Sequence, residues 1–205
     1  MSKAITSFAR NADPLPGNLL PQDGKAYLIE QALSSREADR AFSDLLESID
    51  WQQAQAFLFG RTIPLPRLTA WHGDHGYSYS GIRHEPAPFT PLLAKMKASI
   101  EAITRTSFNS VLINLYRGGQ DSMGWHSDDE PTLGPEPEIA SLSLGARRRF
   151  HFKHRRQGDR IAIDLDHGSC LIMRGQCQAN WQHQLPKTRK KVGPRINLTF
   201  RTIQG

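Results

Sequence analysis

Two stretches of the chain carry apolar residues at the spacing of an amphipathic helix. The first follows Ser34, a residue type that caps helices, and its apolar positions are Ala38, Phe42, Leu45, Leu46 and Ile49. The second opens at Thr90 with a proline next to it, and its apolar positions are Leu92, Leu93, Met96, Ile100 and Ile103. We interpret both stripes as helix faces packed on a core, with no functional role.

After residue 108 the pattern changes to the two-residue period of strands. Six segments fit this period or are rich in β-branched and aromatic residues: 110–116, 139–144, 149–154, 160–165, 170–174 and 195–201. Residues 53–89 are rich in proline, glycine and aromatic residues, and favour short strands and loops. Two helices followed by short strands predict a mostly β fold with flanking helices (α+β), an antiparallel sandwich or barrel with the helices on one face.

Length and composition indicate one domain in a reducing compartment. A chain of 205 residues can bury a full hydrophobic core. We assign residues 1–25 to an N-terminal arm and residues 26–205 to a single domain, which we expect to be a monomer. Two cysteines make no disulfide framework. We find no signal peptide and no apolar run near the ~20 residues of a membrane span, so we expect no membrane and no secretion, but a cytoplasmic protein in a prokaryote or a nuclear one in a eukaryote.

Positive charge is concentrated in the last third of the chain. Residues 146–205 contain 14 lysines and arginines against 3 acidic residues, and residues 1–145 contain 12 against 17, which gives the net charge of +6. The basic runs are "RRR" at 147–149, "KHRR" at 153–156 and "KTRKK" at 187–191. Charge runs are often only a solvated surface, but three such runs favour a face that meets a polyanion such as nucleic acid.

The stretch "GWHSDDE", residues 124–130, combines one histidine with three carboxylates. It fits an acidic surface turn, and it also fits a metal site, because His126 and Asp128 point the same way if the segment is extended. Two histidines and one carboxylate on one face of iron leave positions open for a co-substrate and oxygen, whereas zinc is more often tetrahedral. Spacing alone does not choose the third ligand among His151, His154, His167 and His183.

The last predicted strand, "RINLTFR", separates polar from apolar residues. One of its faces carries Arg195, Asn197, Thr199 and Arg201. A strand with one solvated side has this pattern, but two arginines around an amide and a hydroxyl also suit a dicarboxylate, because guanidinium groups bind carboxylates through paired hydrogen bonds. The strand at 110–116 likewise has a face formed by Leu112, Asn114 and Tyr116. Two such strands predict a polar cavity between sheets.

These residues resemble the AlkB family of Fe(II)- and 2-oxoglutarate-dependent dioxygenases, and most closely its mammalian-type members that repair alkylated DNA. The resemblance spans roughly residues 58–203 and is carried by "VLINLYRGGQDSMGWHSDDE", "IASLSLGARRRFHFKH", "HGSCLIMRG" and "HQLPKTRKKVGPRINLTFR". It implies a double-stranded β-helix (jelly-roll) core. It also selects His183 as the third iron ligand beside His126 and Asp128, and places His167 in a structural turn.

The resemblance places the co-substrate 2-oxoglutarate on the polar strand faces. Arg195 would bind its distal carboxylate with the help of Tyr116, and Arg201 would lie near the carboxylate that chelates iron. The remaining residues implied at this co-substrate are Asn114, Asn197 and Thr199.

The resemblance also implies a nucleotide-recognition lid at about residues 53–89. Tyr77 and Tyr79, in "YSYSG", would frame a flipped base, and Tyr79 would stack on it opposite His126. Phe59 falls where related enzymes carry a wedge that fills the gap left by the base.

The implied reaction is oxidative demethylation of N-alkylated bases in DNA, with Fe(II) as cofactor and 2-oxoglutarate and O2 as co-substrates. Succinate, carbon dioxide and formaldehyde are the by-products. Asp129 and Glu130 would favour bases made cationic by methylation, such as 1-methyladenine and 3-methylcytosine. Two alternatives stay open: a dioxygenase of the same family acting on RNA or protein, and a non-enzymatic, metal-stabilised nucleic-acid-binding module. A binding module of this kind would not explain the two arginines on the strand at 195–201.

Overall fold

Strands dominate the structure, a computed structural model that describes residues 15–58, 60–74, 77–79, 82–84 and 86–204. In chain order its elements are β1 (Lys25–Ile29), α1 (Ser35–Ser48), β2 (Gln55–Leu58), β3 (Arg61–Pro64), β4 (Leu68–Gly73), β5 (Tyr77–Tyr79), β6 (Ile82–His84), α2 (Pro91–Thr104), β7 (Ser110–Tyr116), β8 (Met123–His126), a 3₁₀ turn (Pro131–Leu133), β9 (Ile139–Gly145), β10 (Arg148–His154), β11 (Arg160–Leu165), β12 (Cys170–Arg174), α3 (Cys177–Asn180), β13 (Trp181–Leu185) and β14 (Arg195–Arg201). None of the helices in these ranges is long and apolar enough to cross a membrane.

Two antiparallel sheets form the body of the fold. The major sheet has six strands in the order β1-β12-β9-β14-β7-β4, and the minor sheet has four in the order β11-β10-β13-β8. The hairpins β2–β3 and β5–β6 make two further small sheets. The mostly β jelly-roll fold with flanking helices is confirmed.

Both predicted helices begin where their capping residues stand. Ser34 accepts a hydrogen bond from the backbone of Glu37, and the Glu37 side chain accepts one from the backbone of Ser34, which completes a capping box. Thr90 accepts a hydrogen bond from the Leu93 N–H and is followed by proline in the first turn. Leu46, predicted to be part of the buried apolar face of α1, is instead 38% exposed, at the edge of that face.

The helices cover one face of the major sheet. Ile196, Leu198 and Phe200 of β14 face this layer and pack in one buried cluster with Leu45 of α1 and Ile100 of α2. Because side chains alternate along a strand, the polar residues of β14 must face the opposite way, toward the minor sheet. The space between the two sheets is therefore where the predicted site residues meet.

The six predicted strands are all present, and the boundaries of four of them agree with the prediction. The prediction missed β1, β8 and β13. β8 is only four residues long and contains a glycine, and β13 has glutamines at every second position. Both are strands because they pair with neighbours distant in sequence: His126 lies opposite His183, and Phe152 of β10 lies on the other side of His183.

Candidate active site

A cavity lined by both polar and apolar side chains lies between the two sheets. The predicted inward faces of β7 and β14 form its floor, and residues of β8 and β13 form the facing wall. The residues that line it are Leu112, Asn114, Tyr116, Met123, His126, Asp128, Ser141, Phe150, Met173, His183, Leu185, Arg195, Asn197, Thr199 and Arg201. All nine residues predicted for the metal and 2-oxoglutarate line this one cavity.

His126, Asp128 and His183 come together at one end of the cavity. One ligand atom of each lies within 4.8 Å of the others. The Nε2 atom of His126 is 4.0 Å from Oδ1 of Asp128, and the Nε2 atom of His183 is 3.8 Å from Oδ2 of the same carboxylate. Two imidazoles and one carboxylate this close together fit an Fe(II) ion of the non-haem oxygenase type.

The protonation of these three residues suits metal binding. Burial, reinforced by His126, lowers the pKa of His183 to about 3, so this imidazole is neutral at physiological pH. The Nδ1 atom of His126 donates a hydrogen bond to the Gly124 carbonyl at 2.9 Å, which leaves Nε2 with its lone pair. Burial opposes ionisation of Asp128, but Arg201 and the two histidines outweigh it and lower the pKa of this carboxyl below its usual value.

Arg201 belongs to the metal end of the cavity. It is 2% exposed and donates a hydrogen bond to Oδ1 of Asp128 at 2.7 Å. This charge-assisted contact orients the carboxylate while its other oxygen faces His183. Arg201, which was predicted to lie near the 2-oxoglutarate carboxylate that chelates iron, therefore also holds the metal ligand Asp128.

Arg195 is a buried cation whose hydrogen bonds, within the described residues, all go to neutral groups. It is 2% exposed and donates to Ser143 Oγ at 2.7 Å and to Asn197 Oδ1 at 2.6 Å, and its guanidinium carbon lies 5.4 Å from the centre of the Tyr116 ring. Burial lowers its pKa to about 10, so it stays charged near neutral pH. A buried charge without a counter-ion is costly, and a carboxylate in the cavity would supply one.

A chain of side-chain hydrogen bonds orders the floor of the cavity. Asn197 accepts from Ser141 at 3.0 Å as well as from Arg195, and its amide nitrogen donates to Thr199 at 2.8 Å. Sequence reasoning included Asn197 and Thr199 but missed the two serines of β9. Their alternation in "IASLSL" was a usable signal, because Ser141 and Ser143 lie directly opposite Thr199 and Asn197.

Arg67 is a further buried cation that the sequence analysis missed. It is 3% exposed, and its Nε atom donates to Asn114 Oδ1 at 2.9 Å. Asn114 is thereby fixed with its amide oxygen toward Arg67. Nothing in "LPRLTAW" distinguishes this arginine from a surface residue, because its burial depends on the pairing of β4 with β7.

The other candidate histidines lie away from the metal ligands. His151 contacts Gln184 on the outer side of the minor sheet, and His154 is 3.2 Å from Asp23. His167 accepts a hydrogen bond from the Gly145 N–H at 2.8 Å and lies 3.2 Å from Asp39. Only His183 is placed to complete a group with His126 and Asp128 within the described part of the chain.

The residues predicted for the substrate are less fully placed. Tyr77 and Tyr79 belong to β5, which pairs with β6, and the orientation of their side chains lies outside what is described. Phe59 lies outside the described residues. Asp129 and Glu130 follow the metal ligands but are not among the residues that line the cavity. Asp129 accepts a hydrogen bond from Arg155 at 2.6 Å, so this carboxylate is already part of an ion pair.

The basic runs are not uniformly exposed, which corrects the interpretation of "RRR" as a single polyanion-binding run. Arg148 is 3% exposed and donates to the carbonyls of Gly118, Asp121 and Pro186, so it joins the loop between β7 and β8 to the loop after β13. Its two neighbours are exposed but form ion pairs with Asp164. In the run at 187–191, Lys187, Arg189, Lys190 and Lys191 are exposed, and none of them forms an ion pair with another residue of the described ranges.

The comparisons with known proteins agree with this geometry. The 2OG-Fe(II) oxygenase superfamily profile matches residues 25–201. "DNA oxidative demethylase ALKBH2" of Mus musculus is 37% identical over 180 residues, which cover 82% of this chain and 75% of that protein. The chain belongs to the AlkB family. Fe(II), 2-oxoglutarate and O2, expected from the resemblance, are confirmed by this membership and by the group of two histidines and one aspartate.

Other members of the AlkB family match over similar lengths. "Alpha-ketoglutarate-dependent dioxygenase alkB homolog 3" of Bos taurus is 48% identical over 178 residues, which cover 82% of this chain and 62% of that protein. The chain therefore spans less than two thirds of the length of that relative. The solved structure of OsALKBH1 superimposes with a TM-score of 0.62 at 19% identity and covers 86% of this chain and 97% of that chain, which shows a shared fold.

Proposed function

We propose that this protein is an oxidative demethylase that removes methyl groups from ring nitrogens of alkylated bases, such as 1-methyladenine and 3-methylcytosine, in nucleic acid. The observation that carries the proposal is the single cavity in which His126, Asp128 and His183 lie beside a strand face bearing two buried arginines. The names of the AlkB relatives, a dioxygenase and a DNA oxidative demethylase, support the same activity.

We assign the following roles in this reaction to residues of the chain. His126, Asp128 and His183 would hold Fe(II), which with 2-oxoglutarate and O2 would supply the oxidising chemistry for hydroxylation of the methyl carbon. Arg195 binds the distal carboxylate of 2-oxoglutarate, and Asn197 keeps this guanidinium oriented. Arg201 keeps the Asp128 carboxylate turned toward the metal.

The proposed substrate is a base turned out of its strand. A base inside a stack cannot reach a cavity between two sheets, so it must flip, at a cost of about a few kcal/mol that is smallest for a lesion unable to pair. β4 of the segment 53–89 is a strand of the major sheet, and we propose that the rest of this segment forms the lid over the flipped base. We propose further that Tyr79 stacks on the base and that Phe59 fills the gap it leaves. We favour DNA over RNA, with the protein acting as a monomer.

A demethylation assay tests this proposal. The purified protein, loaded with Fe(II), would be given 2-oxoglutarate and matched DNA and RNA oligonucleotides that each carry one 1-methyladenine. We expect formaldehyde and succinate in equal amounts, and none with the Asp128→Ala variant. Release from RNA alone would support the alternative substrate. Iron binding without succinate on any methylated oligonucleotide would contradict the proposal and favour a metal-stabilised binding module.

The preference for cationic bases can be tested separately by substitutions at Asp129, which forms an ion pair with Arg155. One oxygen of Asp129 accepts a hydrogen bond from Arg155, and we propose that this carboxylate attracts a cationic base or accepts a hydrogen bond from its exocyclic amine. Asp129→Asn should slow demethylation of 1-methyladenine more than that of the neutral 1-methylguanine. Tyr79→Ala should slow both alike, because stacking contributes about 1–3 kcal/mol for any base. An unchanged rate ratio in Asp129→Asn and in Glu130→Gln would show that recognition of the charge lies elsewhere.

A further inference from the structure

Three consecutive residues after β8 are each anchored to a different part of the minor-sheet side of the molecule. Ser127 Oγ donates to the Trp181 carbonyl at 2.8 Å, the Asp128 N–H donates to Gln178 Oε1 at 3.0 Å, and Asp129 accepts from Arg155 at 2.6 Å. We call residues 127–129 the ligand loop, because they contain the metal ligand Asp128. Two of the three anchors lie on α3 and at the start of β13, the strand that carries His183.

Gln178 is the anchor that holds the ligand loop through a buried side chain. It lies on α3, the helical turn between β12 and β13, and is 1% exposed. Its carbonyl oxygen accepts from Asp128, and its amide nitrogen donates to the sulfur of Met173 at 3.4 Å. A buried amide is retained only where its polar atoms have partners. The thioether is a weak acceptor, so the bond to the backbone of Asp128 is the contact that accounts for a glutamine at this position.

Asp128 is consequently held at both ends. Arg201 of the major sheet fixes its carboxylate at 2.7 Å, and Gln178 on the minor-sheet side fixes its backbone. Since α3 continues directly into β13, the same short segment that supports Asp128 also determines where His183 stands. The distance between these two ligands therefore depends on a contact outside the metal-ligand group.

We infer that Gln178 is a positioning residue of the metal centre, which fixes the backbone of Asp128 relative to His183 and thereby sets the affinity for the metal. Partners of this kind, which do not touch the metal, affect metal affinity by about 10- to 100-fold when removed. A glutamine that only fills the core would affect stability and leave the affinity of the folded protein for metal unchanged.

The test is the affinity for Mn(II), an oxygen-stable substitute for Fe(II), measured by electron paramagnetic resonance on folded protein. Gln178→Met keeps the length of the side chain and removes the acceptor, and we expect it to weaken Mn(II) binding by about 10- to 100-fold. Gln178→Glu keeps an oxygen at the same position and should restore most of the affinity with an unchanged Mn(II) spectrum. Gln182→Met, the same substitution on the outer side of β13, is the matched control and should bind as the wild type does.

Wild-type affinity in Gln178→Met, or a Gln178→Glu variant no better than Gln178→Met, would overturn the inference. If Gln178→Met does not fold, Gln178→Asn replaces it, because the shorter side chain withdraws the acceptor from Asp128 but remains an amide. It should then bind Mn(II) more weakly than Gln178→Glu, and equal affinities of these two variants and the wild type would overturn the inference. The titration contains neither 2-oxoglutarate nor nucleic acid, so its result is independent of whether the protein demethylates bases.

Discussion

At the scale of single residues, the metal site depends on three side chains from two antiparallel strands and the loop after one of them. Replacing His126, Asp128 or His183 by alanine removes one of three ligands, so we expect each variant to lose bound Fe(II) and all turnover while remaining folded. Metal content after anaerobic loading and gel filtration measures the first effect, and circular dichroism measures the second.

The matched control for these variants is His167→Ala, because His167 caps the Gly145 backbone and lies outside the metal group. It should keep iron while losing some stability. If His167→Ala lost iron and His183→Ala retained it, the assignment of the third ligand would be wrong.

Arg195 carries the second prediction at this scale. Arg195→Ala removes a charge-assisted partner of a carboxylate, a contact of about 1.5–3 kcal/mol, which corresponds to a rise of roughly 10- to 100-fold in the KM for 2-oxoglutarate. Arg195→Lys, which keeps the charge but not the paired geometry, should lie between this variant and the wild type. Steady-state succinate formation over a range of 2-oxoglutarate concentrations gives these values, and an unchanged KM in Arg195→Ala would refute the dicarboxylate role.

The site residues that lie on a single strand could be predicted from the sequence. The alternation of Arg195, Asn197, Thr199 and Arg201 follows from the two-residue period of β14 alone, so a polar inward face was predictable. Spacing alone could not choose His183 over three other histidines, because this choice depends on the cross-strand register that sets His183 opposite His126. The resemblance to the AlkB family supplied it. Arg67, Gln178 and the ion pair of Asp129 with Arg155 escaped prediction for the same reason, since each contact joins distant segments.

At the scale of elements, α1 depends on its capping box. Ser34 provides an acceptor for an N–H at the start of the helix, so Ser34→Ala should reduce the free energy of unfolding by about 1 kcal/mol. For a protein of this size that corresponds to a fall of about 2–4 °C in Tm. Thermal unfolding followed by circular dichroism measures the change.

Ser43→Ala is the control for the capping residue, because Ser43 is exposed in the middle of the same helix. It should leave Tm unchanged or raise it slightly, since alanine is the better helix former. Equal Tm values for the two variants would mean that the capping box contributes nothing measurable to stability.

At the scale of the whole molecule, the uneven charge predicts how nucleic acid is held. Among the residues that the structure describes, the exposed run at 187–191 forms no ion pairs, whereas Arg147 and Arg149 do. Neutralising Lys190 and Lys191 to glutamine should weaken binding of all oligonucleotides about equally. It should also reduce the slope of log affinity against log salt by roughly 0.7 to 0.9 for each phosphate that the lysines no longer neutralise.

Arg147→Gln serves as the comparison for the lysine variant, because its guanidinium is 2.6 Å from Asp164 and 3.2 Å from Asp166. It should change the salt slope less than the two lysines do. Fluorescence anisotropy at several salt concentrations gives both slopes. Unaltered affinity and slope in the lysine variant would mean that the run at 187–191 is only a solvated surface.

We propose that one cavity holds Fe(II) through His126, Asp128 and His183 and presents it to 2-oxoglutarate on the arginine-bearing face of β14. The most direct measurement is the visible absorption of the anaerobic Fe(II) protein as 2-oxoglutarate is added. We expect a weak metal-to-ligand charge-transfer band that saturates with 2-oxoglutarate in the wild type and is absent in His183→Ala. A wild-type protein that binds Fe(II) yet shows no such band at any 2-oxoglutarate concentration would contradict the claim.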